Sequence, residues 1–384
     1  MKSEILGLLE KINIFLVSKS NESDTAYSTV PLVKEIISSI FKNYIDETEY
    51  LKANNTFSNG GMADFYATPL IIGQLQKRNI IDTNYSPPDR YTDEEPEEKL
   101  FNKNDDFLFN RAIVLLKERS PGFLNEISVM MNYFGKRDSD LSKRHLLCLT
   151  RELKSEFNKH GILATVTHSI ETPNILAFGN SFGILSLTLT LIKVQQILEL
   201  KNYFNPEIEI VIKWIFKFYK EADFGSDTYS VFPQTVDSIT LKPFFNNQLF
   251  WSQGDTLIAI ILYHASDVLD DGNLSRVADL VGLNTLLRKD FNSTQITNSS
   301  ILNGTSGLAE SYKYLYKLSS NTDYLDGYHH WIKETVKMLN NELLTADSKS
   351  NHISIYQGIY GTLLSLVSFM EHNNSLISID PLLF

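Results

Sequence analysis

Gly179-Asn180-Ser181-Phe182-Gly183 opens a run, Ile184 to Val194, that is apolar nearly all round. The same phrase recurs. Trp251-Ser252-Gln253-Gly254 leads into the run Leu257 to Tyr263, and Leu302-Asn303-Gly304-Thr305-Ser306-Gly307 into Leu308, Tyr312, Leu315 and Tyr316. Gln357-Gly358-Ile359-Tyr360-Gly361 leads into Leu363, Leu366, Val367 and Met370, and Asn59-Gly60-Gly61-Met62-Ala63 is a fainter copy. The i, i+3, i+4, i+7 apolar spacing predicts helices, and apolarity on every side predicts buried ones. Gly254 to Gly304 is 50 residues and Gly304 to Gly358 is 54. Two helices with two turns occupy about 40–50 residues in helical arrays. Gly183 to Gly254 is 71 residues, which leaves room for an insertion. A helix-initial glycine lets backbones crowd around one axis, because it has no Cβ. Gly-x-x-Gly turns occur in any helical protein, but these copies share both spacing and context. They predict an all-α fold, an α/α toroid of two helical layers.

The outer layer is expected from amphipathic stretches at Met1–Ser18, Pro31–Ile45, Leu141–Asn158, Glu207–Glu221 and Tyr324–Leu344. The whole chain, 1–384, is read as one domain. Two stretches break the pattern. Residues 82–106 are Pro-rich and acidic and are expected as an exposed loop. Residues 222–247 are expected as an irregular insertion or β-hairpin, with Ser230, Val231 and Phe232 against Ile239, Thr240 and Leu241.

Composition removes several function classes. Net charge is −11, from 35 basic against 46 acidic residues. Phosphate backbones need a basic surface, so nucleic acid is not an expected partner, and anionic lipid is not favoured either. No stretch approaches the roughly 20 apolar residues of a membrane span. The first residues, Met1 to Lys19, read as an amphipathic helix rather than a signal-peptide core. Cys148 is the single cysteine. It rules out an intramolecular disulfide and any zinc site with more than one thiolate, and it suits a cytoplasmic location. Cys148 is expected as a buried small hydrophobe on an outer helix.

At the glycine phrases the sequence resembles the lanthionine synthetase C-like family, the lantibiotic cyclases, from about Asn59 to Phe369. The resemblance implies an α/α toroid with a zinc site at the top of the ring. In that family a Trp-Cys-x-Gly phrase supplies one thiolate, and a Cys-His-Gly phrase a second thiolate and an imidazole. The matching positions here are Ser252, Leu302 and Asn303, beside a retained Trp251. A leucine has no lone pair to donate, serine is too weakly acidic, and an Asn amide is a poor zinc ligand. The family's acid/base histidine falls on Phe182, and an arginine before the Trp-Cys phrase falls on Gln248. Gln253 stands where members often carry tyrosine. A family aspartate falls on Asp106, with Asp105 as the alternative.

The implied chemistry joins a cysteine thiol to a dehydroamino acid. The nucleophile is the thiolate, a bound zinc deprotonates it, and an acid protonates the enolate. Ligands and proton donor are lost together here, so the expectation is no zinc, no cofactor, and a pseudo-cyclase. Its expected partners are a precursor peptide and a lanthipeptide dehydratase or active cyclase. The expected binding positions are Phe182, Gln248, Trp251, Ser252, Gln253, Leu302, Asn303 and Asp106. Two rivals stand beside this reading. One is a zinc-independent cyclase that acts through orientation. The other is an unrelated helical-toroid glycosidase, which needs a carboxylate pair that Asp223, Asp227 and Asp237 are the residues to supply. His264 is expected as a buried, hydrogen-bonded core residue and His329 and His330 as surface, while His168 is a candidate to line the cavity. No Gly-x-Ser-x-Gly elbow, P-loop or His-Glu-x-x-His occurs.

Overall fold

The computed structural model describes residues 4, 5, 7, 8, 11, 97–137, 139–169, 175–179, 183–345 and 358–370. They form α1 (Glu97–Glu118), α2 (Phe123–Lys136), α3 (Asp140–His160), α4 (Ile162–His168), β1 (Ile175–Ala177), α5 (Ile184–Ile197) and α6 (Asn205–Phe216). Then come β2 (Thr235–Asp237), β3 (Pro243–Phe244), α7 (Asp255–Leu269), α8 (Gly272–Thr285), the short α9 (Phe291–Thr294), α10 (Thr305–Ser319), α11 (Asp323–Thr345) and α12 (Ile359–Met370). Residues 4, 5, 7, 8 and 11 are helical, and the helix expected over Pro31–Ile45 lies outside the described residues. None of the described helices is long and apolar enough to cross a membrane.

The chain divides into two compact units, each built from separated stretches. One holds 96–297, 310–328 and 380–384, and the other 1–95, 298–309 and 329–379. In the first unit α5 and α7 are the buried helices. α7 is buried at every position from Asp255 to Ser266, and α5 at nearly every one from Ile184 to Gln195. Their hydroxyls are satisfied within the helix: Thr188 Oγ1 donates to the Ile184 carbonyl at 2.7 Å and Thr190 Oγ1 to the Ser186 carbonyl at 3.0 Å. α2 and α7 pack on α5, and α8 packs on α7. α3 buries one face through Leu146, Leu149, Leu153 and Phe157. Each such side chain contributes roughly 1.5–3 kcal/mol over its exposed state. Ser139 caps α3 by accepting from Ser142 N at 3.1 Å. In the second unit, α12 is buried from Gly361 to Ser368.

Three expectations need correction. Residues 97–106, expected as the end of an exposed loop, are the first turns of α1. Leu108, Ala112 and Leu115 bury against the neighbours of α1, and that tertiary contact outweighs the polar composition of the stretch. Residues 82–96 lie outside the described residues. Within 222–247 the pairing differs from the expected one. β1, β2 and β3 form a three-stranded antiparallel sheet in that order, with Leu176 opposite Val236 and Thr235 opposite Phe244. Ile239 to Leu241 form a turn instead of a strand. The reason is local: the Asp237 carboxylate accepts from Ile239 N at 3.0 Å and Thr240 N at 2.7 Å. Cys148 is free and half-buried on α3, not fully buried.

Candidate functional site

The Trp251 turn belongs to the first unit. Phe250 N donates to the Gln253 carbonyl at 2.9 Å, which folds the backbone tightly before α7 begins. Gly254 completes the turn at φ 108°, a left-handed conformation that side chains rarely adopt. A Cβ there would stand 2.5 Å from the Gln248 carbonyl oxygen. Trp251 is 1% exposed and anchors the turn in the core, and Ser252 is buried beside it. The backbone at Gly179 comes against Ser252 and Gln253, so two of the glycine phrases meet here.

A buried ion pair holds this turn. Asp255, the first residue of α7, accepts from Val231 N and Phe232 N, both at 3.2 Å, and from Arg288 Nη1 at 2.9 Å. Arg288 also donates from Nε to the Ser293 carbonyl and from Nη2 to the Asn247 carbonyl, each at 2.7 Å. Both side chains are out of contact with solvent. Burial pushes the Asp255 carboxyl up, and the Arg288 guanidinium and the two backbone amides oppose that. The pair clips the segment before β2, the segment after β3 and the start of α9 to one helix end. Sequence reasoning missed both residues. An aspartate directly after Trp-x-x-Gly was the available signal for one of them.

The side chains beside the turn form a lattice of carboxamides. Gln248 Oε1 accepts from Gln253 Nε2 at 2.6 Å, from Asn246 Nδ2 at 3.0 Å and from Gln234 Nε2. Asn246 Nδ2 also donates to Gln234 Oε1, and Gln248 N donates to Asn246 Oδ1 at 3.0 Å. All four residues are half-buried. Gln234 and Asn246 flank β2 and β3, so the small sheet brings them to Gln248. Gln248 and Gln253 were expected at the site, whereas Gln234 and Asn246 were not.

The Leu302-Asn303-Gly304 turn belongs to the second unit and is built by similar means. Asn298 Oδ1 accepts from Ser300 N at 3.0 Å, and Thr305 N donates to the Asn298 carbonyl at 3.0 Å. A Cβ on Gly304 would lie 2.5 Å from that carbonyl oxygen, so only glycine fits. Glu342 of α11 reaches the turn, accepting from Ser299 N at 2.7 Å and from Ser299 Oγ at 2.6 Å. Burial raises the Glu342 carboxyl, opposed by these two bonds. Leu302 and Asn303 are half-buried.

The other expected residues fall as follows. Phe182 lies outside the described residues, as do the side chains of His168 and Tyr360. Asp106 is 59% exposed on α1 and pairs with His145 Nε2 at 2.9 Å. Asp105 is fully buried and accepts from Tyr133 Oη at 2.8 Å and Arg137 Nη2 at 3.4 Å. Neither aspartate is bonded to the lattice. Asp223 and Asp237 cap turns, Asp223 by accepting from Gly225 N at 2.9 Å. Hydrogen bonds from Ser226 and Gly225 hold the Asp223 carboxyl below its usual range, and bonds from Thr240 do so for Asp237. His264 is a core residue, bonded through Nε2 to Tyr314 Oη at 2.9 Å. Burial, with Lys193 and Lys317 nearby, pushes its pKa down to about 3. His329 is exposed and His330 half-buried.

A sequence model of the lanthionine synthetase C-like proteins matches residues 13–382. The chain belongs to this family. Among solved structures, nisin cyclase matches with a TM-score of 0.62 and 14% sequence identity, over 92% of this chain and 84% of that one. That match shows the fold, the expected α/α toroid with a small antiparallel sheet added. Comparison with curated proteins finds no match.

Proposed function

We propose that this lanthionine synthetase C-like protein is a zinc-free pseudo-cyclase of lanthipeptide modification. It binds a precursor peptide, alone or docked with a dehydratase or an active cyclase. The observation that carries the reading is the carboxamide lattice beside the Trp251 turn, Gln248 with Gln234, Asn246 and Gln253. The zinc ion that the family resemblance implies does not fit these residues. Among the described residues no group of three or more His, Cys, Asp or Glu side chains stands ready to hold a metal ion. The nearest carboxylate along the chain, Asp255, is committed to Arg288 and two backbone amides. Carboxamides are neutral and poor zinc donors. They are good hydrogen-bonding partners for another amide.

Such a site orients a peptide and supplies no charge to activate a thiol. The role is therefore to hold, present or protect a modified chain while a partner enzyme acts on it. This reading puts the protein in the cytoplasm, where a lone thiol such as Cys148 stays reduced.

Two measurements test it. Zinc in the purified full chain is expected far below one per molecule, and one zinc per molecule would overturn the reading. A pull-down with a precursor peptide and its dehydratase is expected to retain at least one of them. Retention of neither, under conditions in which an active cyclase retains its peptide, removes the proposed role.

A further inference from the structure

We infer that copies of this chain bind one another head to tail, the β2–β3 turn of one entering the cleft between α6 and the α7–α8 junction of the next. Both features lie in the first unit. The turn and the strand after it expose three large apolar side chains, Ile239 at 71%, Leu241 at 53% and Phe244 at 61%. Lys242 is exposed among them and forms no ion pair with a described residue. The turn is preformed. The Asp237 carboxylate accepts from Ile239 N and Thr240 N, Leu241 N donates to the Asp237 carbonyl at 2.9 Å, and Asp237 N donates to the Lys242 carbonyl at 2.9 Å. Little conformational entropy is lost when such a turn docks. Leu241 is held at φ 57°, a left-handed conformation that glycine or asparagine enters at lower cost. An apolar residue that is strained and exposed at once is unfavourable in the single chain, and burial against a partner offsets that cost.

The cleft has the complementary character. It measures about 590 Å3, and Ile212 and Phe216 of α6, Leu269 of α7 and Leu274 of α8 give it an apolar lining. Glu209 and Asp271 line it as well, against one cation, Lys213, which Glu209 engages at 3.0 Å. The cleft is therefore net negative, and Lys242 is the charge that matches it. Apolar turn meets apolar lining, and the lysine meets the carboxylates. Asp255, the first residue of α7, holds the segment before β2 through Val231 N and Phe232 N. The cleft takes in Leu269, the last residue of the same helix. Turn and cleft are thus tied to opposite ends of α7, and Ile239 and Leu241 stay in water in the single chain. A contact between two different patches repeats from copy to copy instead of closing at a dimer. It is small, so association depends strongly on concentration.

Sedimentation equilibrium of the full chain tests this. The mean mass is expected to rise past that of a dimer as concentration goes from low to high micromolar, and to rise less in high salt. A turn variant carries Ile239→Ser and Leu241→Asn, both at exposed positions, with asparagine suited to the left-handed backbone. A cleft variant carries Leu269→Lys, which puts a long cation into the apolar lining. Each alone is expected to remain a monomer with the wild-type circular dichroism. Mixed, they are expected to form a one-to-one dimer and nothing larger, because the turn of the cleft variant still fits the cleft of the turn variant. If Leu269→Lys alters the circular dichroism, Glu209→Lys, at an exposed position, serves as the cleft variant instead. A wild type that stays monomeric at every concentration overturns the contact and leaves the turn and the cleft to other partners. Association untouched by either variant, or a mixture that fails to pair, overturns it too.

Discussion

Replacing Arg288 with methionine keeps the apolar stem and removes the guanidinium. The change deletes three hydrogen bonds, to Asp255, Ser293 and Asn247, at 2.7–2.9 Å. It leaves the Asp255 carboxylate fully buried, with only Val231 N and Phe232 N as partners, each at 3.2 Å. Hydrogen bonds to charged groups are worth about 1.5–3 kcal/mol each, and part of that returns because no guanidinium is desolvated. Breaking a buried pair from one side costs about 3–5 kcal/mol, and that is the expected loss for Arg288→Met. Asp255→Asn keeps an acceptor for only one of the two backbone amides, which bond to different carboxylate oxygens, and leaves Arg288 two carbonyls, so about 2–3 kcal/mol is expected. The double variant should cost less than the sum, with a coupling of at least about 1 kcal/mol. Urea unfolding followed by tryptophan fluorescence reads all three, since Trp251 lies in the clipped turn. Amide exchange at Val231 and Phe232 should quicken in the Arg288 variant. A loss below about 1 kcal/mol for Arg288→Met, with strict additivity, would refute the reasoning.

Two further predictions concern stability. The folded-state pKa of His264, about 3, lies below its usual 6.5, so the unfolded chain takes up that proton more readily. Its contribution is complete above pH 6.5 and is lost as pH falls toward 3, at up to about 1.4 kcal/mol per pH unit. Between pH 6.5 and 5 the wild type should lose about 2 kcal/mol that His264→Gln does not; parallel pH profiles would remove the histidine from the account. Gly254→Ala places a Cβ 2.5 Å from the Gln248 carbonyl at φ 108°. It should cost about 2–3 kcal/mol, whereas Gly272→Ala, with nothing within 4 Å, should fall within about 0.5 kcal/mol of wild type. Equal effects at the two glycines would mean that the turn relaxes freely.

The helices that were legible are those whose pattern needs no partner to be seen. α5 and α7 follow their glycine phrases as expected, and α3 and α11 lie within two residues of their expected bounds. α1 was not legible at its start, because Asn102, Asn104, Asp105 and Asp106 look like a loop until Tyr133 and His145 are placed beside them. The β pairing was missed for a similar reason. Ile239 to Leu241 has the composition of a strand, but the Asp237 carboxylate bends it into a turn. Trp251, Ser252, Gln248 and Gln253 were marked in the sequence as neighbours of one turn. Gln234 and Asn246 were not, since only the pairing of β2 with β3 carries them there.

The sequence by itself determined the repeated glycine-led helix starts, the apolar inner helices and the residue types, Ser252, Leu302 and Asn303 among them, that stand in the glycine phrases. These are local facts, set by periodicity, by the absence of a Cβ and by the donor atoms each residue type owns. The tertiary structure alone decided which distant residues join those phrases. Asp255 and Arg288 stand 33 positions apart, and Gln234 stands 14 from Gln248. A hydrogen bond between such residues exists only after the chain has returned on itself, so no spacing in the sequence announces it.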